Sequence, residues 1–108
     1  MFNSAYLADI ERYGEVKDFY AKGQELENTF PISCAPMLDF TGLNLNIYDN
    51  GRYLKPIFTI GKCSQQNTKI VVPLAVQLHH ATCDGYHAGI LFDLLKKLAA
   101  TPADWMDL

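Results

Sequence analysis

The sequence lacks the features that mark several large functional classes. No apolar run approaches the roughly eighteen residues needed to cross a bilayer as a helix. The longest candidate, Ile70–Leu78, is the length of a strand and is interrupted by Pro73 and Gln77. No basic excess exists: 9 Lys+Arg stand against 12 Asp+Glu, a net charge of −3. A general nucleic-acid binder needs a basic surface to neutralise phosphates, so that class is disfavoured, as is a membrane protein. The N-terminus has no basic stretch ahead of an apolar one, so no secretory signal is visible and a cytoplasmic location is expected. Cys34, Cys63 and Cys83 are the only cysteines and share no repeated spacing. That count argues against a disulfide framework and against paired-cysteine zinc binding. No internal repeat or low-complexity tract is present.

What remains is a chain with 49% hydrophobic and 19% charged residues in 108 positions. Those proportions describe a single globular domain over residues 1–108. Leu7, Ile10 and Tyr13 recur at threes, which predicts a helix over Ser4–Tyr13, with Asn3 or Ser4 as cap and Gly14 as stop. Phe19 and Tyr20 are expected to pin the polar connection that follows. Short strands are expected at Phe30–Cys34 and Ile57–Ile60, and one over Leu43–Tyr48, where Leu43, Leu45 and Ile47 alternate with polar neighbours. Asp49-Asn50-Gly51 predicts a tight turn. Ser64–Thr68 reads as a polar turn.

Lys69–His80 reads as the strongest strand. One face carries Ile70, Val72, Leu74, Val76, Leu78 and His80; the other carries Val71, Pro73, Ala75, Gln77 and His79. Pro73 cannot donate a ladder bond, so an edge or irregularity is expected there. Ile90, Leu91, Leu94, Leu95 and Leu98 then follow helical spacing, giving a helix over Tyr86–Leu98 that ends before Pro102. The fold class is α+β, with a mixed or antiparallel sheet and helices packed on one side.

All three histidines fall in His79-His80-Ala81-Thr82-Cys83-Asp84-Gly85-Tyr86-His87, where the strand gives way to a loop before a helix. Strand parity places His80 on the more aliphatic face, where desolvation favours a neutral imidazole able to accept a proton. Asp84 has three open roles: helix cap, partner of an Arg, or orienter of a histidine. His80, Cys83 and His87 are conceivable zinc ligands, but no second ligand cluster exists and no metal is expected. Cys83 beside Asp84 is poorly placed for activation as a nucleophile.

This segment resembles the active-site signature of the chloramphenicol acetyltransferases, His-His-x-x-x-Asp-Gly followed by an aromatic and a His. The signature is shared with peptide-synthetase condensation domains and, more loosely, dihydrolipoamide acyltransferases. Two further blocks narrow it. Phe58-Thr59-Ile60-Gly61-Lys62 resembles the family's Phe-Thr-Met-Gly-Lys stretch. Ile32-Ser33-Cys34-Ala35-Pro36 with Asp39-Phe40-Thr41-Gly42-Leu43-Asn44-Leu45-Asn46 resembles its Val-Ser-x-x-Pro and Phe-Thr-Ser-Phe-Asp-Leu-Asn region.

The resemblance covers nearly the whole chain but only the C-terminal half of the family, so residues 1–108 correspond to a C-terminal acetyltransferase-like domain that is incomplete relative to the family. It implies an O-acetyltransferase that moves acetyl from acetyl-CoA to a hydroxyl of chloramphenicol or a similar acceptor. His80 would be the general base, Ser33 would stabilise the oxyanion and Thr59 would hold a water beside it. Asp84 would take a structural ion-pair role. Leu43, Leu45 and Ile47 would either line an apolar acceptor pocket or serve as plain core. The family works as a trimer, with the catalytic His of one subunit facing a pocket of the next, so a homo-oligomer or a missing N-terminal half is the expected partner. Cys63, Pro31 and Met37 depart from the family's pattern around the coenzyme site and Ser33. A different class of function, a non-catalytic oligomerising module, stays open beside the enzyme.

Overall fold

The structure is a computed structural model, and it describes residues 2–18, 20–24 and 26–106. The expected anchor Phe19 lies outside the described residues. The order of elements is α1 (Phe2–Tyr13), β1 (Ile32–Cys34), β2 (Ile57–Ile60), β3 (Ser64–Gln66), β4 (Lys69–Val71), β5 (Leu74–Gln77) and α2 (Gly85–Ala100), followed by a short 3-10 helix at Pro102–Asp104. The α+β class holds.

Helix α1 starts earlier than its polar residues suggest, so Asn3 and Ser4 lie within its first turn rather than capping it. Its stop is as expected. The Gly14 amide donates to the Ile10 carbonyl at 2.9 Å, and a Cβ at Gly14 would stand 2.6 Å from that same oxygen. Only glycine allows the chain to close so tightly on the last turn. After the turn, Lys22 returns to pair with Asp9 and places its ammonium 5.5 Å from the centre of the Tyr13 ring, a cation–π contact that ties the connection to the helix.

The central sheet has three strands in the order β1-β2-β5. β1 and β2 run parallel, with Ser33 opposite Thr59. β2 and β5 run antiparallel, with Thr59 opposite Ala75 and Ile57 opposite Gln77. Phe30 packs against Phe58, ring centres 5.2 Å apart, just ahead of the β1–β2 register. The sheet is therefore mixed, and β1 and β5 are its edges.

The expected strand at Phe30–Cys34 narrows to Ile32–Cys34, and three other expected segments change. Lys69–His80 is two strands, not one. β4 ends at Val71, and β5 begins only after Val72 and Pro73. Pro73 lacks the amide hydrogen that would carry a ladder through this point. β4 pairs with β3 in a separate two-stranded ribbon, so most of the expected polar turn at Ser64–Thr68 is strand, and the reversal is confined to Asn67 and Thr68. Asn67 has φ 55°, a left-handed conformation that Asn tolerates well. Finally, Leu43–Tyr48 belongs to no strand; a side chain, not a neighbouring strand, holds it.

Among the described residues no hydrophobic side chain is fully buried. The closest backbone contacts are between the strands. Ile90, Leu94 and Leu98 of α2 stay 43%, 52% and 48% exposed. The apolar stripe of α2 is thus only half covered, with Leu91 and Leu95 half-buried beside it, which leaves apolar surface for a further partner to cover. No helix among the described residues is long and apolar enough to cross a membrane.

Candidate active site

Ser33 and Thr59 meet because the parallel register sets them side by side on one face of the sheet. Their hydroxyl oxygens are 3.3 Å apart. Ser33 also directs its hydroxyl at the Phe58 carbonyl across a long 3.4 Å, a weak bond that leaves the proton free to turn elsewhere. Thr59, at 8% exposure, is the buried polar residue of the described chain. The close of this block is fixed by Gly61. A Cβ there would lie 2.7 Å from the Leu38 carbonyl oxygen, the Phe40 ring and the Pro73 ring alike. Its amide donates to the Pro73 carbonyl at 2.9 Å.

The two histidines at the end of β5 separate. His79 is half-buried and lines a cavity of about 260 Å³ together with Leu45, Ile47, Asp49, Lys55 and Gln77. Its Nδ1 accepts a hydrogen bond from the Ala81 amide at 3.0 Å. A neutral imidazole whose Nδ1 accepts must carry its proton on Nε2. Nε2 is therefore a donor, and it faces Gly51, where a Cβ would come within 3.9 Å. His80 stands in the turn after the strand, exposed, with no hydrogen-bond partner among the described residues. Parity with β5 does not extend to it, because the strand ends at Gln77. The desolvation expected from aliphatic neighbours is absent within the chain.

Asp84 resolves as a helix cap. Its Oδ1 accepts from the amides of Tyr86 at 3.0 Å and His87 at 3.1 Å. The His87 imidazole returns the contact, its Nδ1 accepting from the Asp84 amide at 3.3 Å. This is a reciprocal capping box with His in the place usually held by Glu or Gln. Hydrogen bonding from the His87 amide holds the Asp84 carboxyl below its usual range, opposed by partial desolvation and helped by the His87 ring, whose Nδ1 lies 2.7 Å from an Asp84 carboxylate oxygen and donates to it in the imidazolium form.

Leu45 and Ile47 line the cavity; Leu43 is not among its lining residues. All three are partly exposed. The Asp49–Arg52 turn forms the far end. Asn50 and Gly51 both have positive φ, 48° and 72°, and the Arg52 amide donates to the Asp49 carbonyl at 2.9 Å, as the Asn-Gly pair predicts. Gln77 and His79 also line the cavity, although they lie on the less aliphatic face of the expected strand. Their shared parity was the available signal. Ser33 and Thr59 do not line this cavity: Thr59 pairs with Ala75, and His80 lies five positions beyond that. Among the described residues no three His, Cys, Asp or Glu side chains gather to hold a metal, and the three cysteines are free.

A family model described as chloramphenicol acetyltransferase matches residues 1–96. The chain belongs to the chloramphenicol acetyltransferase family. It is 46% identical over 106 residues to a chloramphenicol acetyltransferase of Clostridium butyricum, a match covering 98% of this chain and 48% of that protein. A Clostridium perfringens relative of the same name is 48% identical over 101 residues, covering 94% of this chain and 46% of its own length. One from Staphylococcus aureus is 42% identical over 105 residues, covering 97% and 49%. The chain spans about half the length of these curated relatives. Acyl transfer is thus the activity of the family to which the chain belongs.

Proposed function

We propose that this chain supplies the C-terminal part of an acetyl-CoA-dependent O-acetyltransferase that acts on a hydroxyl of chloramphenicol or a similar acceptor. The observation that carries the reading is the Ser33–Thr59 hydroxyl pair in a chain of this family.

In this reading the His80 imidazole takes the proton of the acceptor hydroxyl as its oxygen attacks the thioester carbonyl. The C=O electron pair moves onto oxygen, and the Ser33 hydroxyl turns from its weak bond to Phe58 to donate to that oxyanion. Thr59 holds a water beside it. Collapse of the intermediate expels the coenzyme A thiolate, which recovers the proton from His80. The contrast between the histidines supports this division of labour. His79 already spends Nδ1 as an acceptor, which leaves Nε2 a donor, whereas His80 has both nitrogens free of partners among the described residues.

His80 lies beyond the end of β5, whereas Ser33 and Thr59 sit within the β1–β2 pairing, which favours a site completed across an interface, by further copies of the chain or by an N-terminal half. The unburied apolar side chains and the open edges of β1 and β5 point the same way. The same surfaces favour a second reading, a non-catalytic oligomerising module, and turnover separates the two.

The test is thiol release from acetyl-CoA with chloramphenicol and other hydroxyl acceptors. His80→Ala is expected to lower kcat by at least about 10²-fold, while His79→Ala keeps most of kcat. Equal loss from both substitutions defeats the assignment of roles. A folded oligomer with no transfer to any hydroxyl acceptor favours the module.

A further inference from the structure

Leu45 has no strand beside it among the described residues, yet both of its backbone polar groups are satisfied by a single side chain. The Leu45 amide donates to Gln77 Oε1 at 2.9 Å, and Gln77 Nε2 donates to the Leu45 carbonyl at 2.9 Å. A primary amide presents one acceptor and one donor along one edge, the same pair that a residue of an adjacent strand presents. Gln77 is the last residue of β5, and its side chain takes up the Leu45 backbone where no described strand pairs with it.

This grip is specific to the amide. An ionised Glu offers only acceptors and would set a charge against the Leu45 carbonyl, and Met offers neither partner. What the grip holds is a cavity wall. Leu45, Ile47 and Gln77 all line the cavity of about 260 Å³, with His79 on the Gln77 side. The wall is tethered at its middle by Gln77 and at its end by the Asp49–Arg52 turn. Loss of the middle tether frees the segment to swing, because nothing else pairs the Leu45 backbone.

We propose that Gln77 is a positioning residue for the acceptor, setting the width of the cavity by fixing Leu45 and Ile47 relative to His79. The proposal rests on the acetyltransferase reading, with this cavity receiving the acceptor. Gln77 acts through the Leu45 backbone and touches no reacting atom.

The experiment compares the full chain with Gln77→Glu and Gln77→Met by amide hydrogen exchange and by kinetics. At neutral pH the Leu45 amide should lose about tenfold or more of its protection in both variants. The Phe58 and Ala35 amides, bonded within the sheet region, should keep theirs, which reports an intact fold. Near pH ~4 the Glu carboxyl gains a proton and can again both donate and accept, so Leu45 protection returns in Gln77→Glu and not in Gln77→Met. In turnover, Gln77→Glu should raise KM for chloramphenicol about tenfold and leave KM for acetyl-CoA unchanged. Leu45 protection untouched by either variant, or equal rises in both KM values, overturns the proposal. If the unsubstituted protein acetylates no acceptor, the proposed function fails and the acceptor role of Gln77 fails with it. The Leu45 amide then still decides whether Gln77 holds the wall.

Discussion

Ser33 and Thr59 face each other across the parallel β1–β2 pairing with their hydroxyl oxygens 3.3 Å apart. They are 26 positions apart in sequence, and neither is unusual for a strand. Their meeting is a consequence of register: a slip of one residue in β1 would turn Ser33 to the opposite face and break the pair.

Removal of the Ser33 hydroxyl should therefore act on the chemical step. Ser33→Ala is expected to lower kcat about 10²-fold with little change in KM for acetyl-CoA. Steady-state thiol release checks it, and an unchanged kcat would remove Ser33 from the oxyanion site.

Gly61 should tolerate no side chain. A methyl group at this position meets a carbonyl oxygen and two rings at 2.7 Å, and two of those three neighbours are backbone or proline. Gly61→Ala is expected to destabilise the fold by about 1–3 kcal/mol, the usual cost of overpacking. Chemical denaturation of the two proteins measures this, and equal midpoints would show that the loop at Leu38–Phe40 gives way freely.

Asp84 should make the stability of α2 depend on acid. Its carboxyl is held below the ordinary range, chiefly by the His87 amide. A depressed folded pKa stabilises at pH above the unfolded value of about 3.9 and loses that contribution as pH falls through the still lower folded value. Asp84→Ala should thus reduce helicity and thermal stability at neutral pH, and the gap between the two proteins should close only in strongly acidic solution. Circular dichroism melts over a pH series test it. A gap independent of pH would mean that Asp84 acts through something other than its charged cap.

The chain should associate. Ile90, Leu94 and Leu98 form a half-covered stripe on α2, and two sheet edges stand open. Sedimentation at low micromolar concentration is expected to give a mass above that of one chain. A stable monomer with full acetyl transfer would refute both this and the interface reading of His80.

The sequence alone carried the local structure. Helix spacing at Leu7, Ile10 and Tyr13 and at Ile90, Leu94 and Leu98, and the Asn50-Gly51 turn, are properties of neighbours in the chain, and each is set by periodicity or by φ preference. Ile57–Ile60 was legible as well, because a short apolar run closed by Gly61 leaves few alternatives. The motif around His80 and Asp84 marked the family, since it depends on residue type and order alone.

Pairing was not legible, because alternation shows that a segment can have two faces but not which neighbour it meets. Leu43–Ile47 carries the same alternation as a strand, yet its partner is the Gln77 side chain. Lys69–His80 reads as one apolar run with an irregularity expected at Pro73, but the sequence did not show that Pro73 divides it between two sheets. Only the tertiary structure decided that Asp84 caps α2 with His87 as its partner. It likewise left His80 exposed, because β5 ends at Gln77 and the backbone leaves strand geometry before parity reaches it. Those outcomes depend on hydrogen bonds between groups far apart in sequence, or on where a ladder stops. Order along a chain fixes preferences, whereas the choice of partner is made by which backbone groups still lack one when the strands come together.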